Sequence, residues 1–139
     1  MANFLTALRG YATYRGREGH IGFLLHRITG LGTLLFLSIH ILDTALVFFA
    51  PNLYDEVMGF YRSALFGFGE ILLIFAVIYH GVNGLRLAVF DVLVPRFWNI
   101  SMQRYSVRFT LTVALILWIP AMLVMLRGIL IHNFGLLGG

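Results

Sequence analysis

The stretch that decides the fold is ILLIFAVIYHGVNGLRLAVFDVLV, residues 71–94. Its first nine residues are all apolar; His80, Asn83, Arg86 and Asp91 then arrive within twelve positions. The apolar run around it extends from about Ala64 to Val94, and two others run from about Ile21 to Ala50 and from about Val107 to Ile131. Each exceeds the roughly 20 helical residues that cross a hydrocarbon core. Lipid offers a backbone no hydrogen-bond partners, so such runs must be helical, and the alternating pattern of a membrane barrel is missing. The expected fold is all-α and integral to the membrane. It has three transmembrane helices (I about 21–50, II about 64–94, III about 107–131) behind a short N-terminal arm, 1–19, with residues 1–139 forming a single membrane-anchor domain.

Composition agrees. Of 139 residues, 60% are hydrophobic and 12% charged, against about 45–50% and 25% in soluble domains; mean hydropathy is +0.89. The lack of cysteine excludes disulfides, cysteine-ligated zinc, iron–sulfur ligation and thiol nucleophiles within these residues. All ten basic residues are arginines. They sit at the ends of apolar runs, which marks topology rather than a nucleic-acid partner. The first eighteen residues lack the ordered regions of a secretory signal and read as a soluble or interfacial arm carrying Arg9, Arg15 and Arg17. No phosphate loop or metalloprotease signature occurs.

Pro51 and Asn52 close the first helix, Pro95 closes the second, and Pro120 is expected to kink the third. Linker 51–63 carries Asp55, Glu56 and Arg62; linker 95–106 carries Arg96 and Arg104, with Arg108 just beyond. With the arginine-rich arm, this puts the N-terminus and second linker in the cytoplasm and the first linker and C-terminus outside. Arg127 is the exception.

A charge at membrane depth costs roughly 2.5–3.5 kcal/mol on insertion scales, so each polar residue in a span needs a reason. His80, about 14 residues from the end of its run, has two readings: a neutral imidazole bonding across a helix interface, or an axial ligand to haem iron. Gly81 and Gly84 offer clearance for a flat macrocycle or a partner helix. Arg86 lies six residues on, about 9 Å along the helix, a height suited to a haem propionate. Asn83 and Asp91 read as caps or arginine partners. His40 has Asp43 on its own face, either to hold its imidazole as a metal ligand or as a polar pair joining helices. His26 shares His40's stripe within about 40°, some 21 Å away in height. Arg27 suits a propionate, a quinone carbonyl, or an interfacial anchor. If Arg27 and Arg86 sit level, His40 lies about 10 Å deeper than His80, a spacing for two stacked haems rather than one iron. Glu70 reads as interfacial or as a proton relay, Trp98, Trp118 and the tyrosines as anchors or packing, and His20 and His132 as solvent-facing. Three helices with this much polarity enclose little interior, so a partner within the membrane is expected.

HRITG (26–30) followed by YHGVNGLRLAVFD (79–91) resembles the cytochrome b subunit of succinate dehydrogenase. The likeness spans the whole chain and is greatest to the small bacterial form, with YRG (14–16) before the first helix and HILDTALV (40–47) late in it. It implies an anchor for flavoprotein and iron–sulfur subunits at the cytoplasmic face of a bacterial plasma membrane. A second small membrane subunit and haem b, one or two and shared with that subunit, would stand beside it. Quinone, with menaquinone the expected type, would be the electron acceptor, and operation as a fumarate reductase is compatible. By this resemblance His80 is the haem ligand, His26 and Arg27 lie near quinone and propionates, and His40 matches the ligand of a second, distal haem. Two positions depart from the pattern. Phe23 replaces a quinone-binding serine, and Leu87 replaces a histidine after the arginine of the second motif. The rival readings are a cytochrome b of another dehydrogenase, such as a hydrogenase or formate dehydrogenase, and a non-redox assembly subunit whose histidines join helices. The first predicts haem with a different catalytic partner; the second predicts no haem.

Overall fold

A computed structural model of the chain describes residues 6, 10, 18–97 and 99–135. Most of the expected arm, with Arg9, Arg15 and Arg17, lies outside the described residues, as does Trp98. The rest is helical, with no strand among the described residues. Helix α1 runs Glu18–Phe49, α2 Pro51–Tyr61, α3 Ala64–Ala88 and α4 Ile100–Phe134. A π-helical turn, Val89–Leu93, prolongs α3, and a 3₁₀ turn, Pro95–Phe97, follows. Three segments are long and apolar enough to cross a membrane: Glu18–Phe49, Ala64–Leu93 and Ile100–Phe134. The chain is an all-α integral membrane protein, as its hydropathy implies.

The boundaries differ from the apolar runs where polar residues carry a helix beyond the lipid. Helix α4 starts at Ile100, not near 107, because the Asn99 side chain caps it, accepting a hydrogen bond from the Met102 amide at 2.8 Å. Its first turns hold Gln103 and Arg104, which hydropathy alone assigns to a linker, and Arg108 just beyond them. Helix α4 runs on through Pro120; neighbouring helices let membrane helices keep such a proline. It ends at Gly135, whose φ of 61° closes the helix in the left-handed region.

Linker 51–63 is mostly helix, α2. Pro51 occupies the first turn of α2, where its missing N–H costs nothing. Tyr61 then donates to the Asp43 carboxylate at 2.8 Å, tying α2 back to α1. That bond holds the Tyr61 phenol above its ordinary pKa, because the neutral form is the donor.

Helix α3 lies between α1 and α4 and contacts both. Ala76, Tyr79 and Asn83 are buried on α3, and Val107, Thr110 and Ala114 on α4. Both sets repeat at i, i+3 and i+7, one face of a helix. Small residues here let the helices approach closely. The Trp118 indole donates to the Ile71 carbonyl at 2.9 Å and meets Phe75 edge-on at 5.5 Å, so it packs α4 on α3 rather than anchoring at the interface. Leucines, isoleucines and phenylalanines cover the outside, from Ile28 and Leu31 on α1 to Val124 on α4. This distribution suits lipid as solvent. At one end, Glu18 bridges to Arg104, Nε to Oε2 3.4 Å, and to Arg108.

Ala114 is fully enclosed, so Ala114→Leu is expected to destabilise the bundle by about 1–3 kcal/mol through overpacking. Trp118→Phe, which keeps the ring and loses the N–H, is expected to cost about 1 kcal/mol. Circular dichroism during SDS titration of the protein in mild detergent measures both.

Candidate functional site

The site forms where α1 and α3 press together. The His26 and His80 rings stack face to face, centroids 4.1 Å apart and planes within 4°. The His80 Nδ1–H donates to the His26 backbone carbonyl at 3.1 Å. A carbonyl only accepts, so this contact requires a proton on Nδ1, and in the neutral imidazole Nε2 then keeps its lone pair. Among the described residues His80 makes no other hydrogen bond.

Gly30 makes this possible. A Cβ there would stand 2.7 Å from His80 Cε1 and 3.1 Å from its Nδ1. The glycines expected to give clearance do less. Nothing lies within 4 Å of a Cβ at Gly81, and one at Gly84 would meet His26 Cε1 in ordinary contact at 3.8 Å. The close approach is made on α1, one helix away from where the sequence of α3 suggests it.

Around the stacked rings the polar atoms are unsatisfied. His26 Nδ1, Asn83 Oδ1 and Arg86 Nε and Nη1 are buried with no hydrogen-bond partner among the described residues. Arg86 is within electrostatic range of His26, Tyr79 and Asp91. Asn83 is only 1% exposed and is no cap, as its polarity suggested, but a buried amide on the α3 interface. Asp91 is exposed in the π-helical turn. Below this group Tyr79, also 1% exposed, directs its hydroxyl toward the Gly22 carbonyl at 3.4 Å. Thr29, buried on α1, donates to the Leu25 carbonyl at 2.7 Å and lies 3.2 Å from the His26 carbonyl.

The other candidates lie apart. Arg27 is exposed, its guanidinium 5.4 Å over the Phe23 ring. His40 is exposed and stacks on Phe36 at 5.4 Å. It lines a cavity of about 540 Å³ with Asp43, Tyr61 and Glu70. The carboxylate expected to orient His40 is engaged by Tyr61 instead. The structure thus unites His26, His80 and Arg86, and leaves Arg27 and His40 on other surfaces.

The roles of Thr29, Tyr79 and Gly30 were not read from the sequence. Gly30 carried a signal: it stands four residues after His26, on the same face and one turn away.

No three histidines, aspartates or glutamates among the described residues form a metal cage. An isolated imidazole is the kind of ligand that haem iron takes. The residues fit such a group: one imidazole has its second nitrogen already engaged, and beside it stands a half-buried arginine whose Nε and Nη1 have no partner among the described residues.

Residues 8–121 match the family described as succinate dehydrogenase/fumarate reductase transmembrane subunit. The chain is also similar to the succinate dehydrogenase 2 membrane subunit SdhC of Mycobacterium tuberculosis, 34% identical over 110 residues, which cover 78% of this chain and 77% of that protein. The chain belongs to the transmembrane-subunit family of succinate dehydrogenases and fumarate reductases, and is a part of that enzyme rather than a catalyst alone.

Proposed function

We propose that this subunit binds haem b through His80 and helps pass electrons to quinone, while anchoring flavoprotein and iron–sulfur subunits to the cytoplasmic face of a bacterial plasma membrane. The observation that carries this is the His80 bond to the His26 carbonyl, which leaves Nε2 as the one donor atom on the ring. Metal-bound histidines habitually engage their second nitrogen in this way. When bound, haem b supplies a one-electron carrier in the membrane.

Arg86 serves a propionate: its unpaired Nε and Nη1 atoms make burial without an anion costly. His26 Nδ1 adds a polar contact on the same side. Arg27 turns outward and serves the quinone, presenting its cation toward a carbonyl oxygen. Phe23 accepts no role in hydrogen bonding; it gives Arg27 an aromatic surface to lie on. His40, at its cavity, is the ligand of a second, distal haem. A second small membrane subunit covers the open side of α1 and shares the haem, and menaquinone is the quinone. The N-terminus is cytoplasmic and the C-terminus lies outside.

The test is a redox-titrated visible spectrum with pyridine haemochrome quantitation, on the complex purified through a tag on this chain. His80→Ala is expected to abolish a b-type Soret component. His40→Ala is expected to remove a second component of different potential. A spectrum unchanged by His40→Ala limits the chain to one haem, and a wild-type complex without haem refutes the reading. Arg86→Gln is expected to keep the Soret band and weaken haem retention about ten- to hundredfold, the loss of a charge-assisted bond.

A further inference from the structure

The contact between His80 and α1 involves three atoms of one carbonyl's surroundings. In a helix the His26 carbonyl accepts from the amide four residues on, that of Gly30, and keeps a second lone pair. His80 Nδ1–H reaches that oxygen at 3.1 Å. The single hydrogen of the Thr29 hydroxyl is shared between the Leu25 carbonyl at 2.7 Å and, as its longer arm, the same oxygen at 3.2 Å. Three donors thus converge on one acceptor, and the glycine whose missing Cβ admits the ring directly follows Thr29.

We infer that the His26 carbonyl is a positioning group for His80, fixing its tautomer and aiming Nε2, and that Gly30 and Thr29 set the strength of this bond in opposite directions. The inference rests on His80 being the haem ligand. Gly30 permits the bond, because any Cβ there would collide with the ring. Thr29 weakens it by competing for the oxygen. The stacked His26 ring holds the imidazole plane, so α1 controls both the tautomer and the orientation of a residue on α3.

The consequence is electronic. An imidazole that donates from Nδ1 is more basic at Nε2. A more basic ligand favours ferric over ferrous iron and lowers the midpoint potential. Gly30→Ala displaces the ring and raises the potential. Thr29→Val keeps the side-chain shape, removes the competing hydroxyl and lowers it. Thr29→Ser restores the hydroxyl and the wild-type value. For the His80 component alone, Gly32→Ala is the control on the same helix: its Cβ would meet only the Ala76 methyl at 3.9 Å, and the cavity Gly32 lines is that of His40.

The experiment is an optical redox titration of the purified complex for each variant, with haem capture by apomyoglobin as a second readout. The expected result is an upward shift and about ten- to hundredfold weaker haem retention for Gly30→Ala. A downward shift is expected for Thr29→Val, and no shift for Thr29→Ser or Gly32→Ala. A general packing defect would move both substitutions the same way and would not be rescued by serine. Should Gly30→Ala fail to assemble, Thr29→Val decides: a downward shift supports the inference, and an unchanged or raised potential overturns it. Wild-type potentials throughout, with haem still lost in His80→Ala, overturn the positioning role and leave the ligand reading standing. Retention of every wild-type haem component in His80→Ala overturns both.

Discussion

The site depends on how closely α1 and α3 approach at Gly30. An imidazole can lie against a helix only where that helix has no side chain, and a Cβ at this position would enter the His80 ring. With the approach in place, the other contacts of the pair follow. The two histidines stack, Tyr79 reaches toward the Gly22 carbonyl, and Thr29 and Asn83 are enclosed. Lipid offers no competing hydrogen bonds and no hydrophobic drive between helices, so close packing and polar contacts hold such an interface. One glycine therefore bears on both the association of two helices and the chemistry of the histidine between them.

The spans were legible because length and apolarity leave a membrane chain few alternatives. What hydropathy missed was helix outside the lipid. Helix α2 is too polar to register as a span, and the start of α4 is hidden by Gln103 and Arg104, though Asn99 before Met102 is a readable capping position. At the site, His80 and Arg86 stood out because polar residues inside an apolar run are conspicuous. Their partners did not, since a backbone carbonyl has no letter in the sequence. His40 and Asp43 illustrate the limit from the other side. Their spacing places both on one face of α1, yet Asp43 pairs with Tyr61 on α2, and no periodicity within one helix encodes which neighbour wins.

The two ends of the bundle are built differently. At the end where α1 begins, Glu18 joins Arg104 and Arg108, an exposed cluster worth little energetically but fixing which turns of α1 and α4 stand level. At the other end α2 folds back over α1 and α3. Two cavities, of about 1020 and 540 Å³, share Tyr54, Met58, Tyr61 and Glu70 as a common wall. One end is thus closed by charge pairing, and the other is open and lined with titratable groups beside His40.

The unpaired atoms bear on what completes the chain. A half-buried guanidinium with two nitrogens that have no partner among the described residues is costly to keep, since several kcal/mol is the usual scale for an uncompensated buried charge. Asn83 and His26 add unmet polar atoms within the same interface. Water alone could satisfy an amide; Arg86 has Asp91 within electrostatic range but, among the described residues, no ion pair with it, which leaves room for an anion from a partner. A partner helix would bring a carboxylate but no use for the Nε2 lone pair of His80. A metal-bearing macrocycle with carboxylate arms meets both demands at once, and on that physical ground the haem reading is preferred to one in which the histidines only join helices.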